Sequence, residues 1–319
     1  MLDCYKFAET GYAPCSEGEA EFFDLQAPDA AECEALAASL GVPPHFLSDP
    51  VDPKERPRIE QEAECTLIII RVPLFAEAAL DPAALAAPPP LRPSRATVPL
   101  GIVITRGRLV TVSLKPRLVQ EYLGRHSRRP APRDAASATF KLFIESAADF
   151  IGQLDQLEAL TEHAEATLSR AQHNEELMTL LAVDKILIHY SVALRSNRNI
   201  MERIMDHRLF SMSPEETDML ERALTENQQA IYMAEIFGQV LGSMSDTFGT
   251  VISNNLNKVM KFLTGVTIVL MIPTFIVGAY GMNVRLPLET RPWAFWLISL
   301  VCLLSCGLIW AFFSRRKWL

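Results

Sequence analysis

The residues with the clearest chemical potential lie near the C-terminus. Gly281, Met282 and Asn283 follow directly on a stripe of Asn257, Met260, Leu263, Thr267, Met271, Thr274 and Gly278, spaced three or four apart and ending at Tyr280. A ring of Asn283 amide oxygens and nearby backbone carbonyls would hydrogen-bond a hydrated cation without stripping its water. Mg2+ gives up water reluctantly and suits such a collar. Carboxylates would bind more tightly and release more slowly, whereas conduction needs binding weak enough to leave. Gly281 is expected to turn the chain sharply where no Cβ fits. Polar Asn and Thr inside a bilayer face protein or water, and the intervening apolar positions suit a narrow pore that gates by dewetting. An ordinary helix–helix interface would carry the same spacing. Periodicity alone leaves both readings open.

The elements that must hold these residues are two apolar segments. Met260–Tyr280 and Trp293–Phe313 carry Lys261 as their only charge, and each is about the ~20 residues that cross a hydrocarbon core. Both lie far from Met1, so neither reads as a signal peptide. Lys258 and Lys261 precede the first, Arg315, Arg316 and Lys317 follow the second, and the connection holds Arg285 and Arg291 with Glu289. The basic flanks place both termini in the cytoplasm and 281–292 outside. One such hairpin cannot enclose a wet path. A ring of identical chains with the first span innermost can.

The formal net charge of -8 argues against a nucleic-acid partner and suits a protein that handles cations. The six cysteines form no CxxC pair, so they read as reduced structural thiols of a cytoplasmic compartment; Cys302 and Cys306 share one face of the second span, a spacing that could suit a soft metal but reads rather as lipid-facing or packing thiols. No P-loop, Gly-x-Ser-x-Gly or HExxH motif is present, which argues against an enzyme and against ATP-driven transport. No bound cofactor is expected.

Upstream, 1–134 reads as an α/β domain. Strands are predicted at 21–25, 65–75, 100–107 and 108–114, with Gly107 as a turn, and a helix opens at Asp29 and closes at Gly41. The Pro-rich stretches 81–99 and 125–134 are taken as exposed loops. From Ala135 the period becomes helical. Phe140, Phe143, Ile144, Ala147, Phe150, Ile151, Leu154, Leu157 and Leu160 lie over an expected acidic face of Glu145, Asp149, Asp155, Glu158, Glu162 and Glu165. A second helix covers about 174–207 and completes a hairpin over 135–212. A third opens near Pro214 and, if continuous through Pro273 to Tyr280, forms a stalk of about 100 Å over 213–280. The external loop 281–292, the second span 293–313 and a basic tail 314–319 complete the chain.

The signature Tyr280-Gly281-Met282-Asn283 at the outer end of the first of two C-terminal spans resembles the CorA family of divalent-cation channels. SNNLNKVMKFLT, PTFIVGAYGMN, SRRKWL and the FLSDPVDPKERPRIE region extend the resemblance over nearly the whole chain. It implies an α+β membrane protein of the bacterial inner membrane: a homopentameric funnel with a cytoplasmic α/β domain, stalk helices lining the pore, and Mg2+ influx driven by membrane potential. Co2+ and Ni2+ are further possible cargo. The family also senses intracellular Mg2+ through acidic residues between subunits. Asp49 matches one of them, but the partner position is Arg222, beside Glu221, which implies an Asp49–Arg222 ion pair instead of a sensing site. Asp246 matches a carboxylate ring near the cytoplasmic mouth. The loop VRLPLETRP departs from the commonly acidic family loops. That departure keeps open a zinc transporter of the same superfamily, with Met260, Met271 and the histidines at 163, 173, 189 and 207 as softer candidates, or a non-conducting membrane scaffold.

Overall fold

The computed structural model describes residues 1–8, 11–74, 96–124, 132–168, 174–207, 212–282, 291 and 293–316, without the side chains of 163–168, 174–179 and 207. The chain divides into two compact units, Met1–Leu241 and Gly242–Leu319.

The first unit is built on a seven-stranded sheet ordered β2-β1-β3-β7-β6-β5-β4. Its strands are β1 Leu2–Ala8, β2 Gly11–Pro14, β3 Phe22–Gln26, β4 Arg58–Glu62, β5 Cys65–Pro73, β6 Thr97–Thr105 and β7 Arg108–Ser113. Only β3 and β7 pair in parallel. Both faces of the sheet are covered, which explains the unbroken apolar run in β5. Leu67 and Ile69 point into one core with Phe46, Leu47 and helix α1, Ala30–Leu40, while Ile68, Ile70 and Val72 point into the other with Phe140, Phe143 and Ile204. Helix α1 begins with an Asp29–Glu32 capping box and ends at Gly41 in the left-handed region. Helices α2, Pro44–Ser48, and α3, Leu118–Gly124, and strands β1, β2 and β4 lie outside the segments expected from the sequence. β4 is largely polar and half-exposed, so its composition gave no strand signal.

Two expectations are corrected here. The part of 81–99 within the described residues is not all loop: Thr97–Pro99 belong to β6 and are buried. Pro99 sits opposite Arg71. The Arg71 backbone turns away from β6, its N–H donating to Asn197 Oδ1 at 2.9 Å and its carbonyl accepting from Asn197 Nδ2 at 2.7 Å, so the missing Pro99 N–H leaves no ladder bond broken. The rest of that stretch, and 125–131, lie outside the described residues. The second correction concerns helix α4, Ala135–Leu168. Asp155, Glu158 and Glu162 are exposed, but Glu145 is buried beside Lys141 in the sequence of a fully covered turn, and Asp149 accepts from the Tyr122 hydroxyl at 2.7 Å. Helix α3 and the sheet cover both sides of α4 at that level, so its polar face is narrower than its charge pattern suggests. The Glu165 side chain lies outside the described set.

Helix α5, Asn174–His207, and the opening of α6, Pro214–Tyr280, complete this unit. A second capping box starts α6: Ser213 N donates to Glu216 Oε2 at 2.6 Å and Glu216 N to Ser213 Oγ at 3.3 Å. Buried Leu220, Ala223, Asn227, Ala230 and Ala234 recur at three- and four-residue steps. Asn227 Nδ2 donates to Leu194 O at 3.0 Å, and Arg195 pairs with Glu235 at 2.6 Å.

Candidate ion-conducting hairpin

The second unit consists of the rest of α6 and helix α7, Ala294–Arg315; α6 and α7 are the two helices long and apolar enough to cross a membrane among the described residues. Their covered faces define a hairpin. On α7 the covered or half-covered residues are Ala294, Ile298, Ser299, Cys302, Ser305, Cys306, Ile309 and Phe313, along one side of the helix. On α6 they are Gly265, Val269, Pro273 and Ile276 with their flanks Val266, Ile268 and Ala279. Of the readings open for Cys302 and Cys306, packing is the one their half-covered positions on α7 support.

Pro273 lies inside α6 without ending it. A helical proline removes the bond to the carbonyl four residues earlier, here that of Val269. Cys306 Sγ from α7 lies 3.6 Å from that oxygen and donates to it. A neighbouring helix thus supplies what the proline removes, as a hydrocarbon surrounding requires.

The sequence-predicted stripe lies on the opposite side of α6. Asn257, Met260, Leu263, Thr267, Met271, Thr274, Gly278 and Tyr280 are all exposed in the single chain, Met271 at 67%. Thr267 Oγ1 donates to Leu263 O at 2.8 Å and Thr274 Oγ1 to Leu270 O at 2.7 Å. With their protons committed to the helix, both hydroxyls present oxygen lone pairs outward.

At the outer end, Gly281 N donates to Val277 O at 2.9 Å and Met282 N to Ala279 O at 3.4 Å, so the helix winds down gradually. The expected sharp turn at Gly281 is not found: its φ is not positive, and a Cβ there would meet Val277 O at an ordinary 3.4 Å. The helical hydrogen bonds carry on through this position, so nothing within one chain requires glycine. Gly281 and Met282 are exposed. Asn283 and the loop residues Arg285 and Glu289 lie outside the described residues.

Asp49 Oδ2 meets Arg58 Nη2 at 2.6 Å, and Arg58 also holds Glu55 and, at 3.1 Å, Glu60. The Arg58 hydrogen bond holds the Glu60 carboxyl below its usual range. Arg222 pairs within its own helix with Asp218 at 3.0 Å. Within one chain Asp49 and Arg222 each pair with another opposite charge. Asp246 is exposed. No group of three or more His, Cys, Asp or Glu side chains among the described residues is placed to hold a metal ion. His189 is exposed, and partial burial followed by Lys185 and Arg71 keeps it below the usual histidine range; His163, His173 and His207 fall outside the described side chains.

A family model described as "CorA-like Mg2+ transporter protein" matches residues 17–316. The chain belongs to this family. It is 25% identical over 315 residues to the cobalt/magnesium transport protein CorA of Methanocaldococcus jannaschii, covering 93% of this chain and 91% of the relative. The complete structure of the CorA magnesium transporter from the same organism superposes with a TM-score of 0.82 at 24% identity, over 100% of this chain and 99% of that one. The full-length CmaX protein gives 0.71 at 17% identity, over 99% and 97%. The chain is accordingly a divalent-cation membrane transporter of the CorA family, with the family's α/β domain, long helix and two apolar C-terminal helices.

Proposed function

We propose that five copies of this chain surround a water-filled axis lined by the exposed stripe of α6, and that Mg2+ enters the cell through it, drawn by the inside-negative membrane potential. The observation that carries this reading is the division of faces on α6 from Gly265 onward: α7 covers one side, and Thr267, Met271, Thr274 and Gly278 of the stripe are left uncovered on the other. Lipid on that uncovered side would leave the two threonine oxygens facing hydrocarbon, an unfavourable arrangement. Copies of the same helix around an axis would give those oxygens a hydrated ion to accept from.

Within this arrangement each residue has a role. Asp246 gathers cations at the inner mouth. Leu263 and Met271 form apolar constrictions, while Thr267 and Thr274 accept hydrogen bonds from the ion's waters. Gly281, Met282 and Asn283 form the outer collar, where glycine keeps the crossing of the copies open and Asn283 selects the hydrated ion. Asp49 is held by Arg58, so Mg2+ would have to displace that guanidinium to use it as a regulatory ligand. Co2+ and Ni2+ share the path.

The test is flux into liposomes loaded with a divalent-sensitive dye, comparing the native chain with Asn283→Ala. Saturable Mg2+ entry that rises with inside-negative potential, and loses its preference over Zn2+ and Co2+ in the variant, is expected. A rate set by a proton gradient and a preference for Zn2+ would replace this reading with a coupled zinc transporter. Absence of flux for every divalent ion would leave a membrane scaffold.

A further inference from the structure

Strand β2 lies at the end of the sheet opposite β4 and pairs with β1 alone. The register between them is short: Tyr5 faces Pro14, Lys6 faces Ala13, Phe7 faces Tyr12 and Ala8 faces Gly11. One residue further along the same register Cys4 stands opposite Cys15, and the Cys15 N–H donates to the Cys4 carbonyl at 3.0 Å. Tyr5 and Pro14 are then the neighbouring pair without a hydrogen bond, which a proline on an edge strand tolerates.

Side-chain direction follows from alternation along the strands. Tyr5, Phe7 and Tyr12 pack against the core that holds Phe22 and Phe140, whereas Leu2, Cys4 and Cys15 pack against the one that holds Ala20 and Phe23. The two thiols therefore share one face of the sheet, one across from the other, and both are half-buried. At a hydrogen-bonded pair the Cα atoms stand about 5.5 Å apart and opposite Cβ atoms about 4.5–5.5 Å apart. A disulfide accepts that Cα spacing and draws the Cβ atoms in to about 3.8 Å. A small shift of the edge strand closes the bond, and the strain left in it keeps it reducible. Cys33 and Cys65 differ: both are buried, and their thiols donate to Leu47 O at 3.5 Å and to Thr105 Oγ1 at 3.3 Å. Burial first, then Glu17, Cys15 and Asp3, hold the Cys4 thiol above its usual range, so it rests protonated.

We propose that Cys4 and Cys15 are a reversible oxidation site, which a low-molecular-weight disulfide converts into a covalent clasp across the sheet edge. One protein thiolate attacks a sulfur of the small disulfide, forms a mixed disulfide and releases one small thiolate. The second protein thiolate attacks the protein sulfur of that mixed disulfide and releases the other. The two protons of the protein thiols end on the two released small thiols, which carry the two electrons. Where thiols are kept reduced, bonds of this kind are transient and report oxidation. The site is independent of which ion is carried and of how many copies assemble.

The test incubates the full chain in detergent with oxidised glutathione, then denatures it, alkylates the remaining thiols and counts them by mass spectrometry of the intact chain and its peptides. The native chain is expected to lose two of its six alkylatable thiols together, to yield a linked Cys4–Cys15 peptide without a lasting glutathione adduct, and to regain both thiols with dithiothreitol. Cys33 and Cys65 are expected to stay alkylatable. Cys4→Ser should hold glutathione on Cys15, and Cys15→Ser should hold it on Cys4, because neither variant keeps a resolving thiol. Amide hydrogen exchange over residues 11–14 should slow on oxidation of the native chain and not of either variant. Separate glutathione adducts on both cysteines of the native chain, six thiols still alkylatable, a link to a second chain, or unchanged exchange over 11–14 each overturns the proposal. The linked peptide is read from the native chain, so a variant that fails to fold does not remove the deciding measurement.

Discussion

The sheet of the first unit and the apolar hairpin of the second handle exposed surface in opposite ways. In the sheet, one chain finishes the work: Leu67, Ile68, Ile69 and Ile70 are all 0% exposed. In the hairpin, Phe275 is 75% and Leu308 74% exposed, and only one stripe on each helix is covered. The first unit is specified by a single polypeptide, whereas the second is completed by its surroundings: lipid on one side of each helix and, in the proposed reading, other copies on the α6 stripe. Core substitutions in the first unit should therefore read out as folding, and substitutions on the stripe as flux.

The largest effect is expected at Asn197. Its amide closes both hydrogen bonds of the Arg71 backbone where β4 no longer runs beside β5. Asn197→Leu leaves a buried N–H and C=O unpaired and should cost about 2–5 kcal/mol in denaturant unfolding of the full chain. A neutral result would mean that the sheet edge is not closed within the chain, and the contrast between the units would weaken.

Next comes Asp24, at 0% exposure in β3, accepting from Thr111 Oγ1 at 2.8 Å and Gln26 Nε2 at 2.9 Å. Burial raises its pKa to about 6 from 3.8, against the lowering effect of those two bonds. The folded state therefore binds this proton more tightly than the unfolded state. The resulting stabilisation is complete below pH 3.8 and is lost as pH rises to about 6. Asp24→Asn should be more stable than the native chain at pH 7 by up to about 3 kcal/mol, with the gap closing below about pH 4 in thermal melts across pH.

A smaller loss is expected at Gly101, where a Cβ would meet Pro50 Cγ at 2.3 Å and Cβ at 2.7 Å. Gly101→Ala should cost about 1–3 kcal/mol, and Pro50→Gly should recover part of it in a double-mutant cycle. On the hairpin side the scale shrinks. Cys306→Val removes the donor to the Val269 carbonyl and should cost about 0.6 kcal/mol in a detergent-unfolding titration, the size of a typical interhelical hydrogen bond in a membrane. Thr267→Val sharpens the comparison most: stability should stay within about 0.5 kcal/mol, as for surface positions, while Mg2+ flux falls.

The helices were largely legible from sequence because their signals are local. Asp29 and Gly41 bracket α1 by capping chemistry, Pro214 opens α6, and the 3.6-residue period runs on through Pro273. The β-branched run of β5 announced a strand, and the structure covers it on both faces. β1, β2 and β4 were not legible, since β4 is mostly charged and polar and is a strand only because β5 offers it an edge. The candidate site was legible as a stripe but not as a face. Spacing could not say which side of α6 meets α7, and Gly281 proved compatible with a side chain inside one chain.

The sequence by itself determined roughly how long the helices other than α2 and α3 are, where they start, and which segments are apolar enough for lipid, because length, period and capping depend on neighbours a few residues apart. Tertiary structure decided the rest: that Asn197 stands in for a missing strand, that Pro50 forbids a Cβ at Gly101, that Glu145 is buried while Asp155 is exposed, and that Cys306 answers Pro273. Each of these joins residues from different elements across the fold. No local pattern encodes such a pairing, since its energy exists only when chain folding has brought the two groups within contact distance.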